Sequence, residues 1–157
     1  MHSRTTALVV FVVIVALALT LTSPEGAAAA ADVGQIKVAK GTVSIERAKQ
    51  RMAVAVGTVV QEGDIVITGP DGSAGITFKD DSLLSIGPDS VLAIDRFAFD
   101  STTYAGAFET SLHRGTMAAV SGKIAKGSPD AMRVRTQATI LGVRGTEFLV
   151  RSSRVAP

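Results

Sequence analysis

The chain has 157 residues, no cysteine and no tryptophan, and a formal net charge of +2. Its length suits a single domain. Without cysteine it has no disulfide bond, thiolate zinc site or cysteine nucleophile. Positive and negative side chains alternate along the chain instead of forming a basic block, so the pattern typical of nucleic-acid binding is missing and we expect no nucleic-acid partner.

Residues 1–31 have the pattern of a secretory signal peptide. A positively charged start precedes an apolar run from Ala7 to Leu21, and the small residues from Ala27 to Ala31 follow. This order predicts cleavage after Ala30 or Ala31 and export to the periplasm. The alternative is an uncleaved leader that anchors the protein in the inner membrane, although the apolar run is shorter than the roughly 20 residues that span a bilayer. We expect membrane association only in that second case.

Short β-strands follow from residue 32 onward. The runs are rich in β-branched residues, and Gly, Pro, Asp or Ser fills the gaps between them. In chain order the predicted strands are Val33–Ala39, Gly41–Glu46, Thr58–Ile67 with an interruption at Glu62–Asp64, Ala74–Phe78, Leu83–Ile86, Val91–Phe99, Phe108–His113, Thr116–Val120, Met132–Thr136 and Thr139–Val150. No window outside the leader shows a sustained helical period. The pattern predicts an all-β fold, a single domain of many short strands over residues 32–157 with its core at 33–150, either a jelly-roll-like sandwich or a β-roll or solenoid.

Three polar corners interrupt the strands in the middle of the chain. Gly69-Pro70-Asp71-Gly72 and Gly87-Pro88-Asp89-Ser90 have the composition of type I or II turns. Lys79-Asp80-Asp81-Ser82 is a third corner, in which adjacent carboxylates would face opposite sides of a strand. None of these segments has the alternating oxygen ligands and distal glutamate of a calcium-binding loop. We therefore predict that the corner aspartates are structural and solvated, rather than metal ligands or a pair for acid and base catalysis.

The corners and the last part of the chain carry a recognisable pattern. It runs from Gly63-Asp64 through the corners to Leu112-His113-Arg114-Gly115-Thr116. Its most specific part joins Val134-Arg135-Thr136 to Gly142-Val143-Arg144-Gly145-Thr146-Glu147-Phe148. In order and spacing these segments resemble the FecR domain family, whose pattern ends V-x-T-P…G-V-R-G-T-x-F. The resemblance implies structural or partner-binding roles for Gly63, Asp64, Thr68, Gly69, Asp71, Gly72, Gly87, Pro88, Ser90, Gly115, Gly142, Arg144, Gly145 and Thr146.

Two residues depart from the family pattern. Asp81 stands where the family usually has glycine, so that turn must tolerate a side chain. Gln137 stands where the family usually has proline, so the entry to the following segment is less rigid.

The resemblance implies an exported domain of the FecR type. The family's iron-uptake regulators also have a cytoplasmic segment, usually with tryptophan, that contacts a sigma factor, and a further C-terminal region that meets an outer-membrane receptor. We expect neither signalling end here. The sequence therefore predicts a periplasmic, non-catalytic binding or interaction module for envelope sensing, with an unknown protein or envelope ligand as its partner. The alternative is a membrane-anchored, signal-transducing regulator of sigma-factor-controlled transcription for iron uptake.

Few side chains are candidates for chemistry, and we expect no enzyme activity, cofactor or metal site. His113 is the one histidine after the leader, and its predicted role is that of a solvent-facing strand residue rather than a general base. Gly142–Thr146 only faintly resembles an anion-binding loop. Arg144 lies in an apolar stretch. Its structural interpretation is a buried guanidinium paired with Asp64 or one of the Asp80-Asp81 pair, and its functional interpretation is contact with an anion.

Overall fold

The computed structural model describes residues 30–128, 130–143 and 147–153. These residues form short strands and one short helix. In chain order the elements are β1 Asp32–Lys40, β2 Val43–Arg47, β3 Gln50–Ala53, β4 Val59–Gln61, β5 Ile65–Thr68, β6 Ser73–Phe78, β7 Leu83–Ile86, β8 Val91–Phe99, β9 Gly106–Val120, α1 Lys123–Gly127, β10 Met132–Thr136, β11 Ile140–Gly142 and β12 Glu147–Ser152. The prediction of an all-β single domain is confirmed.

Strand β9 belongs to two halves of one curled sheet. In the first half, called sheet I, the strand order is β3-β2-β5-β8-β9-β10-β11. In the second half, called sheet II, the order is β4-β1-β6-β7-β9-β12. Neighbouring strands are antiparallel except for β9 and β10, which are parallel. Because the two halves share a strand, the curled sheet corresponds more closely to the roll than to a sandwich of separate sheets.

The hydrophobic core lies between the two halves. Along β6 the side chains of Ala74, Ile76 and Phe78 are buried and alternate with half-buried neighbours, as expected when one face of a strand is covered. The rings of Phe78 in sheet II and Phe108 in sheet I lie 4.5 Å apart, and Phe97 lies 5.2 Å from Phe108. Such ring pairs add about 0.5–1.5 kcal/mol each beyond the burial of their area.

Several predicted strand boundaries are confirmed and two are wrong. The strands Leu83–Ile86, Val91–Phe99 and Met132–Thr136 have the predicted bounds. The two runs expected at Phe108–His113 and Thr116–Val120 form the single strand β9, because the backbone bends at Gly115, where φ is +93°, without ending the strand. The stretch expected as one strand from residue 139 to 150 contains two, β11 and β12, which pair with different neighbours.

Two elements were not predicted from the sequence. Strand β3 is exposed at every residue, so it carries no alternation of buried and exposed positions. Helix α1 is five residues long with one buried residue, Ile124, which is too short to show a helical period. Within the described ranges no helix is long and apolar enough to cross a membrane; the predicted leader up to residue 29 lies outside them.

Candidate functional site

Asp64 is buried and bound by an arginine from the end of β2. Arg47 Nε donates to Asp64 Oδ1 at 2.7 Å, and Arg47 Nη2 donates to Asp64 Oδ2 at 2.7 Å. The backbone N–H of Gln61 donates to Oδ2 at 2.8 Å, and Arg47 Nη2 also donates to the carbonyl oxygen of Val59 at 2.9 Å. The hydrogen bond with Asp64 raises the pKa of Arg47 above its usual value. This bidentate clasp ties the turn between β4 and β5 to β2.

The corner between β6 and β7 is tied to the start of α1. Asp80 Oδ1 accepts from the backbone N–H of Ser82 at 3.0 Å, and Asp80 Oδ2 accepts from Ser82 Oγ at 2.7 Å. Ser82 Oγ in turn accepts from the backbone N–H of Gly122 at 2.9 Å, and the Asp80 carbonyl accepts from Lys123 N at 2.7 Å. A Cβ on Gly122 would lie 2.2 Å from that carbonyl oxygen, so the close approach requires glycine.

The prediction that the corner aspartates are solvated is wrong for Asp80. Its side chain is fully buried, because its carboxylate closes the turn and holds the Ser82 hydroxyl. Asp81 is exposed, as are Asp71 and Asp89, so the two adjacent carboxylates do face opposite sides. Asp81 has a φ of +66° and forms an ion pair of 2.8 Å with Lys123. The turn therefore tolerates a side chain where the family pattern has glycine, since aspartate adopts the left-handed region more readily than most residues.

The corner after β7 joins β5, β7 and β9 through two buried hydroxyls. Thr68 Oγ1 donates to the Gly87 carbonyl at 2.7 Å and accepts from Ser90 N at 2.9 Å. Ser90 Oγ accepts from the backbone N–H of Thr116 at 3.0 Å. A Cβ on Gly115 would lie 2.1 Å from Ser90 Oγ. Both hydroxyls are thus used inside the fold, and the bend of β9 depends on the absence of a side chain at 115.

The corner after β5 is tied to the turn before β2. Asp71 Oδ1 accepts from the backbone N–H of Thr42 at 3.2 Å, and this bond lowers the pKa of Asp71 below its usual value. Gly69 N donates to the Thr42 carbonyl at 2.9 Å, and a Cβ on Gly72 would lie 2.3 Å from the same oxygen. The motif residues of this corner therefore hold two chain segments in close contact.

A cleft of about 500 Å³ lies on the outer face of sheet I; it is called the basic cleft below. Ile65, Ile67 and Val91 form its half-buried aliphatic floor. Its polar lining consists of Glu46, Arg51, His113, Arg114 and Gln137. Two arginines face one carboxylate there, so the cleft carries positive charge. An apolar floor with a few polar groups around it is a composition that ligand-binding sites share.

Arg114 differs from the other charged residues of this face. Arg51 Nη2 lies 3.5 Å from Glu46 Oε2, and the nearby Arg135 Nη2 lies 3.0 Å from Glu109 Oε2. The Arg114 guanidinium has no hydrogen-bond or ion-pair partner among the residues that the structure describes, and its Nε is buried. A buried donor without a partner costs about 1–3 kcal/mol, so this nitrogen calls for an explanation.

The family follows from a comparison with known proteins. The model of the family described as FecR protein matches residues 64–156, a span that begins at the buried Asp64 and includes the corners after β6 and β7. The chain belongs to the FecR protein family. No curated protein and no solved structure matches the chain significantly. FecR is a signalling and regulatory family.

The structure places most of the residues that the FecR resemblance singled out in separate turns and corners of the fold. Asp64, Thr68, Asp71 and Ser90 each make the internal hydrogen bonds described above. Pro88 is exposed, and its carbonyl oxygen accepts from Ser90 Oγ at 3.1 Å, whereas Gly142 lies on the exposed strand β11. Gly63 has a φ of +86° at the turn that carries Asp64. Arg144, Gly145 and Thr146 lie outside the described residues, so their roles stay predictions.

Two further predictions concern single side chains. His113 is exposed on β9, which confirms a solvent-facing strand residue. Each carboxylate considered for Arg144 has another partner: Asp64 binds Arg47, Asp80 binds Ser82 and Asp81 binds Lys123. Among the described residues no group of three or more histidine, cysteine or acidic side chains could hold a metal ion.

Sequence reasoning did not single out Arg47, Ser82 or Arg114. The Asp-x-Ser spacing of Asp80 and Ser82 is a usable signal, since aspartate often accepts from the backbone two residues on. Arg47 lies 17 positions before Asp64, and no local pattern connects them. Arg114 lies in the motif segment from Leu112 to Thr116, but its lack of a partner depends on the side chains of neighbouring strands.

Proposed function

We propose that this FecR chain is an exported, non-catalytic binding module that senses a partner in the periplasm. One observation carries the proposal: the buried polar side chains of the family motif, including Asp64, Thr68 and Ser90, are used in hydrogen bonds inside the fold. These groups maintain a scaffold and are not free to act on a substrate. The basic cleft, by contrast, presents charge to solvent on the outer face of sheet I.

Two other points support the proposal. FecR is a regulatory family, which favours recognition over catalysis. The leader pattern at residues 1–31 favours export with cleavage. A scaffold with a rigid interior and an open outer face fits a protein that presents a surface to a partner.

The experiment combines the fate of the leader with contacts in the envelope. The full chain is produced with a photo-crosslinking amino acid at Arg51 in the basic cleft, at Leu149 on sheet II or at Thr102 in the loop after β8, all of which are exposed. We expect a mature N-terminus at Ala31 or Asp32 in the periplasmic fraction. We also expect at least one position to give a discrete, light-dependent adduct.

Two results would contradict the proposal. Intact Met1 in the inner-membrane fraction would favour the anchored signal-transducing regulator. A correctly exported protein that gives no adduct from any of the three surfaces would contradict the binding role.

A further inference from the structure

The basic cleft has the charge and shape for an extended, acidic segment of a partner protein. The inference rests on the proposed binding function and adds the place of binding and the chemistry of the partner. Its first support is the arrangement of strands: the cleft crosses β3, β2, β5, β8 and β9, from Arg51 at one side to Arg114 at the other. Four inter-strand spacings make this span about 19 Å.

That span matches a short peptide better than a small ion. An extended chain rises about 3.3 Å per residue, so about six residues would cross the cleft. Ile65 and Ile67 lie two residues apart on β5, and Ile67 is directly opposite Val91 on β8. They offer a continuous apolar floor to the middle of such a segment, and burial of that floor would supply part of the affinity.

Charge decides which segment fits. Arg51 is partly neutralised by Glu46, with which it pairs directly across β2 and β3. Arg114 lies directly opposite Val91, at the edge of the floor, and keeps its charge without a partner among the described residues. A guanidinium beside an apolar surface is the group that binds a carboxylate most specifically, because it can donate two parallel hydrogen bonds.

We infer that the basic cleft binds an extended partner segment of about six residues with an apolar middle and a carboxylate that contacts Arg114. The Arg114 carboxylate contact provides specificity, and the aliphatic floor provides area. Arg51 lines the other side of the same cleft, but Glu46 partly offsets its charge, so the strongest contact with an acidic group is expected at Arg114.

The test uses protein purified from the periplasm and two synthetic peptides. The acidic probe is acetyl-Glu-Val-Val-Thr-Val-Glu-amide, and the control has lysine in place of both glutamates. Binding is followed by amide shifts in isotope-labelled protein, which also map the site. We expect the acidic peptide to shift Val91 and Arg114 and its neighbours, the lysine peptide to leave them unchanged, and added salt to weaken binding.

Variants separate the Arg114 contact from general charge. Arg114→Gln should weaken binding about tenfold or more, and Arg114→Lys should restore part of it. Arg133→Gln is the matched control, because it removes the same charge from an exposed residue of β10 outside the cleft. We expect its affinity to equal that of the parent.

Several outcomes would overturn the inference. They are equal binding of both peptides, an effect of Arg133→Gln as large as that of Arg114→Gln, and shifts that map to sheet II. Succinate binding as tightly as the peptide would mark a site for small carboxylates and would also overturn it. If crosslinks in the envelope arise from Leu149 but not from Arg51, the proposed function stands and this inference fails.

Discussion

Arg47 and Arg114 show two opposite uses of arginine in one fold. Arg47 closes both oxygens of the buried Asp64 with bonds of 2.7 Å and keeps only 30% of its side chain exposed. Arg114 lines an open cleft and has no hydrogen-bond or ion-pair partner for its guanidinium among the described residues. The first use is expected of a group that holds strands together. The second is expected of a group that meets something outside the chain.

The contrast extends to the surroundings of the two residues. The buried Asp64 carboxylate is held by Arg47 and the Gln61 backbone, just as the hydroxyls of Thr68 and Ser90 are held inside their corner. Around Arg114 the neighbouring strands contribute aliphatic side chains and charges that are paired with each other. In the proposed function, stability and recognition depend on different residues, and substitutions can test them separately.

The largest effect is expected from Arg47→Ala. It would leave the buried Asp64 carboxylate with one described hydrogen bond, from Gln61 N. Because Arg47 is partly exposed, we expect the free energy of unfolding to fall by about 3 kcal/mol, at the lower end of the range for a broken buried pair. Arg47→Lys should lose less, since lysine keeps the charge but not the fork. Urea denaturation measures both.

Arg51→Ala is the matched control for that experiment. Its ion pair with Glu46 is longer, at 3.5 Å, and more exposed, and exposed pairs contribute about 0–1 kcal/mol. Equal losses for Arg47→Ala and Arg51→Ala would show that the Asp64 clasp does not hold the fold together.

The second prediction concerns Gly115, with Gly63 as its control. Both have positive φ, +93° and +86°. A Cβ on Gly115 would lie 2.1 Å from Ser90 Oγ and 2.5 Å from Ser90 Cα, whereas one on Gly63 would meet nothing within 4 Å. Gly63→Ala should therefore cost about 1 kcal/mol for the backbone alone. Gly115→Ala should cost about 2 kcal/mol, because overpacking adds to the backbone cost.

Thermal or urea unfolding measures the loss of stability in Gly115→Ala and in Gly63→Ala. Equal losses in the two variants would mean that the bend of β9 has room for a side chain and that the Ser90 corner is not tightly packed.

The sequence predicts the strands wherever burial alternates. In β6, Ala74, Ile76 and Phe78 alternate with half-buried residues, and polar corners bound the strand on both sides. It cannot predict that β9 continues through Gly115, because that backbone conformation depends on the close approach of Ser90, which lies in the corner between β7 and β8. It also misses α1, whose place is set by contacts of Gly122 and Lys123 with the Asp80 corner.

The candidate site is less predictable than the fold. The family pattern identifies Asp64 and Ser90 but not their partners. Arg47 comes close to Asp64, and Thr116 to Ser90, only after the strands pair. A corner that reads Lys-Asp-Asp-Ser suggests solvated carboxylates, yet Asp80 is buried. Arg114 stands out because no described residue pairs with its guanidinium. No spacing in the sequence predicts that absence.

A smaller effect on the free energy of unfolding is expected from a change of pH, through Asp71 in the exposed corner after β5. The hydrogen bond from Thr42 N lowers the pKa of Asp71 below its usual 3.8. A lowered pKa in the folded state means that the charged form contributes stability above pH 3.8, and that this contribution is lost as pH falls through the lower folded value. Asp71→Asn should therefore reduce stability at neutral pH and reduce it less in acid.

Unfolding free energies of the parent and Asp71→Asn, measured between about pH 7 and pH 2, should converge at the acid end. The pKa of Asp100 is lowered in the same direction by the backbone N–H groups of Thr103 and Thr102, so Asp100→Asn provides a second case. Parallel curves over the whole range would contradict the role of the Thr42 bond.

The smallest effect on stability is expected from Arg114→Gln. The substitution keeps most of the stem and removes a guanidinium that makes no hydrogen bond or ion pair with the described residues, together with a buried Nε that has no partner. We therefore expect the free energy of unfolding to fall by no more than about 0.5 kcal/mol, although the same variant should weaken binding of the acidic peptide. Urea denaturation beside Arg47→Ala gives the contrast directly. If Arg114→Gln instead destabilises the protein as strongly as Arg47→Ala, Arg114 belongs to the scaffold and the distinction between the two arginines is wrong. Unchanged stability with lost peptide binding would separate recognition from stability at the level of a single residue.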